Sequence, residues 1–95
     1  MNYTEKVKEF HRTFNQPTPE EPKIPSAKRI TLRYNLIIEE LEELLEASRK
    51  EDEVEVLDAL CDLQYVLSGT IIEFGMQKVF NDAYQEVHNS NISKA

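Results

Sequence analysis

Two acidic stretches of this chain place carboxylates at spacings that suit metal binding. The first, residues 37–47, reads IIEELEELLEA, and helical spacing puts Glu39, Glu40 and Glu43 on neighbouring turns. Like charges three or four residues apart each destabilise a helix by about 0.2–0.5 kcal/mol. Carboxylate oxygens are the ligands that Mg²⁺ and Mn²⁺ prefer, and neither histidine of the chain lies in this stretch. The segment is therefore either a solvated acidic face or half of a metal site.

The second stretch, residues 56–67, reads VLDALCDLQYVL and carries two aspartates inside an apolar run. Asp58 and Asp62 are four residues apart, so they share one helix face. No Lys or Arg occurs between Lys50 and Lys78 to pair with them. Burial of an unpaired carboxylate costs several kcal/mol. The two aspartates therefore either occupy a half-exposed polar stripe or are compensated by a cation.

The hydrophobic periodicity around these stretches is helical throughout and predicts an all-α fold. We expect helices over residues 2–14, 27–49 and 52–74, and a fourth that begins at Met76 and ends near residue 89. Four prolines between residues 15 and 26 exclude a regular helix there and predict an ordered crossover. Ser26 suits a helix N-cap, and Gly75 suits a left-handed helix terminator.

A short turn at residues 50–53 predicts that the second and third helices form an antiparallel hairpin. Counting outward from that turn places Glu43 level with Asp58, and Glu39 or Glu40 level with Asp62. Four to five carboxylates would then face one another across the hairpin. This arrangement favours a site for Mg²⁺ or Mn²⁺ built from oxygen ligands alone.

Bulk composition limits the architecture and the partners. A chain of 95 residues forms at most a single domain, residues 1–95, with a thin core, which favours a homodimer or homotetramer. The net charge of −7 argues against binding duplex nucleic acid or anionic lipid. No apolar run is long enough to span a bilayer, and no signal-peptide pattern opens the sequence. Cys61, the single cysteine, fits a reducing cytoplasm and is predicted to be a core residue.

The carboxylate motifs resemble those of the MazG and phosphoribosyl-ATP pyrophosphohydrolase-like superfamily, in particular its phage-type branch. That pattern is Glu-Glu-x-x-Glu on one helix and Glu-x-x-Asp on the next. Similar segments here are VKEFHRTFNQP, LRYNLIIEE, LIIEELEEL, DALCDLQYVLSGT and EVHNSNISK. The second motif departs from the pattern, because the spacing is Asp58-x-x-x-Asp62. We favour these two aspartates, with Glu55 and Asp58 as the alternative form of the motif.

The resemblance implies a four-to-five-helix bundle, completed by dimerisation or tetramerisation. It also implies a Mg²⁺-dependent enzyme, with Mn²⁺ as an alternative, that hydrolyses nucleoside triphosphates to monophosphates and pyrophosphate. Glu39 would orient or deprotonate the attacking water. The expected metal ligands are Glu40, Glu43, Asp58 and Asp62. The expected phosphate contacts are Arg33, Asn91 and Lys94, with Lys78 a weaker candidate.

Several residues allow two interpretations. Phe10, Phe14 and Asn15 either flank a nucleobase or, for the aromatic pair, form part of a core stripe. His11 and His88 have no partner in the sequence and are predicted to be surface or interface residues. The competing function is a non-catalytic acidic helical oligomer that acts as a nucleotide-binding or protein-interaction module.

Overall fold

The computed structural model describes residues 1–94 and contains four α-helices. They are α1 (Tyr3–Thr13), α2 (Ala27–Arg49), α3 (Glu53–Glu73) and α4 (Gln77–Ser93). No strand occurs in the described residues, which confirms the predicted all-α class. The first three helices agree with prediction to within one residue, whereas α4 continues four residues beyond its expected end. A hydrogen bond of 3.0 Å from Gln85 to Asn89, one turn on, contributes to this extension.

Side chains cap the amino ends of the first three helices. The side-chain oxygens of Asn2, Ser26 and Asp52 each accept a hydrogen bond from the backbone amide three residues later, at 3.0, 3.3 and 3.0 Å. Each satisfies one of the amides that a helix start leaves without an intrahelical partner. The predicted role of Ser26 is confirmed.

The same three helices end at a residue in the left-handed backbone region. Asn15, Glu51 and Gly75 have φ values of 55°, 55° and 66°. After α3, the amide of Met76 donates to the carbonyl of Ile71 at 3.0 Å, and the amide of Gly75 donates to the carbonyl of Ile72 at 2.9 Å. This is the Schellman arrangement, and it confirms Gly75 as a terminator. At Gly75 a Cβ atom would also lie 2.0 Å from the carbonyl oxygen of Glu21, so only glycine fits.

Helices α2 and α3 form the predicted antiparallel hairpin. At the end far from the turn, Arg29 Nε donates to Glu73 Oε2 at 3.0 Å. Closer to the turn, Arg33 Nη2 donates to the backbone carbonyl of Val66 at 2.8 Å. These contacts fix the register of the two helices. Each joins a residue of α2 to a residue of α3 that lies at a similar distance from the turn along the chain.

Helix α1 lies against α3, and its buried residues are Val7 and His11. His11 is only 3% exposed, and its Nδ1 lies 3.0 Å from the carbonyl oxygen of Pro17. The prediction of a surface or interface position for His11 is therefore wrong. Its ring occupies space that Gly69 leaves free, because Nε2 lies 3.0 Å from where a Cβ of Gly69 would stand. His88 is exposed, as predicted.

The proline-containing crossover packs on the junction between α3 and α4. The amide of Lys23 donates to the carbonyl of Phe74 at 2.8 Å, and Gln77 donates to the carbonyl of Pro19 at 3.5 Å. The crossover is thus ordered, as the sequence predicts.

The chain buries little apolar surface on its own. Among residues 1–94 the buried apolar side chains are Val7, Ala47, Ala59 and Ile72, together with Pro25 of the crossover, and α4 has no buried residue. Cys61 is exposed, so its assignment to the core is wrong. It lines an open cavity of about 390 Å³ between α1 and α3, where α1 does not cover it fully. Among residues 1–94, no helix is both long and apolar enough to cross a membrane.

Candidate active site

Three carboxylates converge across the hairpin, two from α2 and one from α3. Ligand oxygens of Glu40, Glu43 and Asp62 all lie within 4.8 Å of one another. Glu40 and Glu43 are adjacent on one helix face, and the short turn brings Asp62 to the height of Glu40. We call these three residues the carboxylate triad. The predicted pairing of Glu40 with Asp62 is present in the structure.

Glu40 is the most constrained member of the triad. Its Oε2 is buried and has no hydrogen-bond partner among residues 1–94. Burial raises the pKa of Glu40 above its ordinary value of about 4.5, and the charges of Glu43 and Asp62 raise it further. A buried acceptor without a donor is rare in folded proteins and costs free energy. A cation bound to this oxygen would remove that cost and the repulsion together.

Asp58 lies one turn closer to the hairpin turn and outside the triad. It lines a cleft of about 280 Å³ together with Glu43, Glu46 and Glu55. Glu43 belongs to both features, so the cleft continues directly from the triad. The predicted proximity of Glu43 and Asp58 is therefore present, while the structure separates Asp58 from the group around Glu40.

The same cleft contains Lys50, a cation that the sequence did not single out. Its Nζ is 4.0 Å from Glu46 Oε1. The sequence feature that could have identified Lys50 is its position directly after α2. The hairpin turn folds that end of α2 back towards Asp58. Lys50 is thus a further candidate for contacting phosphate beside the carboxylates.

Glu39 is exposed and stands outside the triad. Its charge nevertheless contributes to the raised pKa of Glu40, its neighbour in the chain. An exposed carboxylate next to a metal-binding group can accept a proton from water. Its role as a base stays a prediction.

Arg33 is held inside the hairpin. It is 7% exposed, and its Nε donates to Thr70 Oγ1 at 3.1 Å while Nη2 donates to the carbonyl of Val66. Burial lowers the pKa of Arg33 from the usual arginine value, although a guanidinium keeps its charge. These contacts give Arg33 a packing role, and phosphate binding by this residue stays a prediction.

The other predicted basic contacts are engaged elsewhere. Lys94 Nζ donates to Asn91 Oδ1 at 3.3 Å at the exposed end of α4. Neither residue lines the cleft or belongs to the triad. Lys78 pairs with Glu20 and Glu21 of the crossover, at 3.4 and 3.9 Å.

The aromatic stripe of α1 is not a core. Phe10 and Phe14 are 41% and 59% exposed, so the core interpretation of these two rings is wrong. Their ring centroids are 4.6 Å apart. Asn15, the third candidate for flanking a base, instead adopts the left-handed conformation that ends α1.

The donor set of the triad fits a hard divalent cation. All three residues offer carboxylate oxygen, and the described residues add no His or Cys to the group. Oxygen-only sites suit Mg²⁺ and Mn²⁺, whereas zinc prefers nitrogen and sulfur ligands. The partnerless Oε2 of Glu40 points to the same conclusion, because it is an anionic ligand atom without a protein donor.

Comparison with known families identifies a relationship over most of the chain. The sequence pattern of the phosphoribosyl-ATP pyrophosphohydrolase family matches residues 7–91, which include the triad, Asp58 and most of all four helices. None of the curated proteins compared with the chain matched it. The predictions of superfamily and of an enzyme are both confirmed. The chain belongs to the phosphoribosyl-ATP pyrophosphohydrolase family, within the MazG-like all-α nucleoside triphosphate pyrophosphohydrolases, and is thus a hydrolase that acts on acid anhydrides of nucleotides.

Proposed function

We propose that this protein is a Mg²⁺-dependent pyrophosphohydrolase that converts nucleoside or deoxynucleoside triphosphates to monophosphates and pyrophosphate. The observation that carries the proposal is the carboxylate triad, in which Glu40 has a buried and partnerless oxygen. The family match supports pyrophosphohydrolase activity on nucleotides in general. Mn²⁺ is the alternative cation, because the same oxygen ligands suit it.

Glu40, Glu43 and Asp62 would hold the cation, and Asp58 would add a ligand from the adjoining cleft. When bound, Mg²⁺ neutralises phosphate charge and lowers the pKa of coordinated water. Without a cation the carboxylates repel a triphosphate, so the site favours a substrate that arrives with its metal.

Side chains outside the metal site would supply proton transfer and contacts to the phosphates. Glu39 would accept a proton as water adds to the α-phosphorus. The bond from that phosphorus to the bridging oxygen breaks, and pyrophosphate leaves. Lys50, in the cleft beside Glu43, offers positive charge to the departing phosphates. The buried Arg33 would contact phosphate only after its present hydrogen bonds are exchanged. Lys94 and Asn91 would each keep N–H groups for a phosphate beyond the bond between them.

We also propose that the protein works as a homodimer or homotetramer in the cytoplasm. Few apolar side chains are buried within one chain, and α4 buries none. Phe80, Tyr84 and Val87 lie at helical spacing along α4, so a second copy could cover them together. The single free thiol suits a reducing compartment, and the net charge of −7 disfavours duplex nucleic acid as a partner.

The decisive test is a panel of canonical and modified nucleoside triphosphates incubated with Mg²⁺ and assayed for pyrophosphate. We expect turnover of at least one substrate by the parent protein and loss of turnover in Glu43→Gln and Asp62→Asn. Glu42→Gln is the matched control, because Glu42 is an exposed carboxylate of α2 outside the triad. Absence of turnover across the panel, or equal activity in all variants, would refute the proposal. Sedimentation at micromolar concentration tests assembly, and a mass of one chain would contradict it.

A further inference from the structure

Three aromatic rings form a continuous exposed patch on one side of the α1–α3 contact. Phe10 packs against Phe14 with centroids 4.6 Å apart, and against Tyr65 edge-on at 5.7 Å. Tyr65 is 43% exposed, similar to Phe10. We call these three residues the aromatic platform. Two large rings from α1 and one from α3 therefore present apolar faces to solvent instead of closing into a core.

The platform adjoins the carboxylate triad. Tyr65 follows Asp62 by three residues on α3, so the two side chains sit on adjacent turns of one helix face. Side chains at this spacing have Cβ atoms about 5–6 Å apart. The edge of the aromatic patch is thus one helix turn from an oxygen group that suits a metal-bound polyphosphate.

We propose that the aromatic platform binds the nucleobase of the substrate by stacking, while the carboxylate triad binds the metal-bound phosphates. The proposal rests on the proposed function, because it assigns the second half of the same substrate. A nucleotide presents a flat apolar base on one side of its sugar and anionic phosphates on the other. The platform offers an apolar surface for the base, and the adjoining triad offers a metal site for the phosphates.

The chemistry of the platform predicts how it recognises the base. Stacking on aromatic rings is tolerant of base identity, because every base has a π-face. The edge-on contact of Phe10 limits rotation of Tyr65 and holds its ring ready for a base. We therefore expect the platform to supply affinity for nucleotides in general rather than selection of one base.

The test compares a ligand that carries a nucleoside with one that consists of phosphates alone. One is an α,β-methylene nucleoside triphosphate, which cannot be cleaved between those phosphates, and the other is inorganic tripolyphosphate. Both are titrated calorimetrically with Mg²⁺ present. We expect Tyr65→Leu to weaken the nucleotide about tenfold, in line with the loss of one stacking contact, and to leave tripolyphosphate binding unchanged. Tyr65→Phe should retain parental affinity, because it keeps the ring.

Tyr34→Leu is the matched control, since Tyr34 is an exposed tyrosine on α2 that lies outside the platform and outside the proposed interface on α4. Equal weakening of both ligands in Tyr65→Leu, or no weakening of either, overturns the proposal. So does a Tyr65→Leu variant that sediments at half the parental mass with nucleotide affinity intact, because the platform would then be an interface between copies.

The outcome separates this proposal from the proposed function. A parent protein that binds the nucleotide in a Tyr65-dependent manner but cleaves no triphosphate would refute the hydrolase proposal and support the platform. If the parent protein cleaves triphosphates while Tyr65→Leu binds the analogue normally, the hydrolase proposal is supported and the platform proposal is refuted. A parent protein that binds neither ligand refutes both.

Discussion

Glu40 of α2 and Asp62 of α3 bring carboxylate oxygens within 4.8 Å of each other across the hairpin, and Glu40 Oε2 has no donor in the part of the chain that the structure describes. Two like charges at this distance oppose the packing of the helices that carry them. The contact is therefore unfavourable in the metal-free chain, and a cation held by Glu40 and Asp62 would make it favourable. A site of this kind links the stability of the hairpin to metal binding.

The first prediction concerns the pH dependence of the metal-free protein. Glu40 has a raised pKa in the folded state, so the folded state holds its proton more tightly than the unfolded state does. Stability should then fall as pH rises from about 4.5 through the raised folded value, and stay reduced above it. Glu40→Gln should lose this part of the pH dependence and be about 1 kcal/mol more stable at neutral pH. Urea denaturation in chelator from about pH 4 to about pH 8 measures the pH dependence and the stability of the variant, because it begins near the ordinary pKa of a Glu carboxyl and extends above it. A variant with the parental pH profile would count against the assigned repulsion.

The second prediction separates the two aspartates of α3. Millimolar Mg²⁺ or Mn²⁺ should stabilise the parent protein by about 2.7 kcal/mol when free metal exceeds its Kd a hundredfold. Asp62→Asn should abolish the increase in Tm, because it removes a triad ligand. Asp58→Asn should retain most of it, since Asp58 lies in the adjoining cleft. Thermal melts with and without metal make the comparison. The reverse order of effects would place the metal nearer the hairpin turn and move the site towards Glu55.

The third prediction concerns the buried ion pair at the far end of the hairpin. Glu73 is 2% exposed and accepts two hydrogen bonds from Arg29, at 2.5 and 3.0 Å. Glu73→Ala should destabilise the fold by about 2–3 kcal/mol, below the roughly 3–5 kcal/mol of fully buried pairs, because Arg29 keeps partial contact with solvent. Chemical denaturation gives the free energy of unfolding. Glu20→Ala, which breaks an exposed pair with Lys78, is the control and should cost less than about 1 kcal/mol. Equal losses in the two variants would show that the buried pair has no special role.

The fourth prediction contrasts two glycines. A Cβ at Gly69 would lie 2.7 Å from Arg33 Nη2 and 3.0 Å from His11 Nε2, so Gly69→Ala must displace side chains. The gain in helix propensity offsets part of that, and we expect a net loss of about 1 kcal/mol. Gly75→Ala should cost about 3 kcal/mol or more, because its φ is +66° and the obstacle is backbone. The midpoints of urea denaturation of the two variants check that Gly75→Ala is destabilised more than Gly69→Ala.

The fifth prediction is a stabilising change at the hairpin turn. Glu51 has a φ of 55°, in the left-handed region that a side chain disfavours. Glu51→Gly should raise the free energy of unfolding by about 1 kcal/mol, because glycine adopts this conformation without strain. Glu53→Gly, two residues later inside α3, should lower it by a similar amount, about 1 kcal/mol. Thermal denaturation in chelator separates this effect from metal binding. A destabilised Glu51→Gly would indicate that the Glu51 side chain makes a favourable contact that outweighs its strain.

Local interactions decided much of this fold, which is why the sequence predicts it well. The cap at Ser26, the terminator at Gly75 and the prolines of the crossover act over a few residues, so their effects can be read without knowing the packing. The short turn at residues 50–52 likewise fixed the height of Glu40 relative to Asp62, because it leaves little freedom in register.

The tertiary structure decided which face of each helix is covered, and this depends on how α1 crosses α3 and how the hairpin rotates. That crossing buried His11 beside Gly69 and left Cys61 and the rings of Phe10 and Phe14 exposed. The rotation of α3 placed Asp62 rather than Asp58 in the triad, and the rotation of α2 turned Arg33 into the helix interface. Periodicity defines a stripe of residues along a helix, but only packing against other helices determines which part of that stripe meets a neighbour and which part meets a substrate.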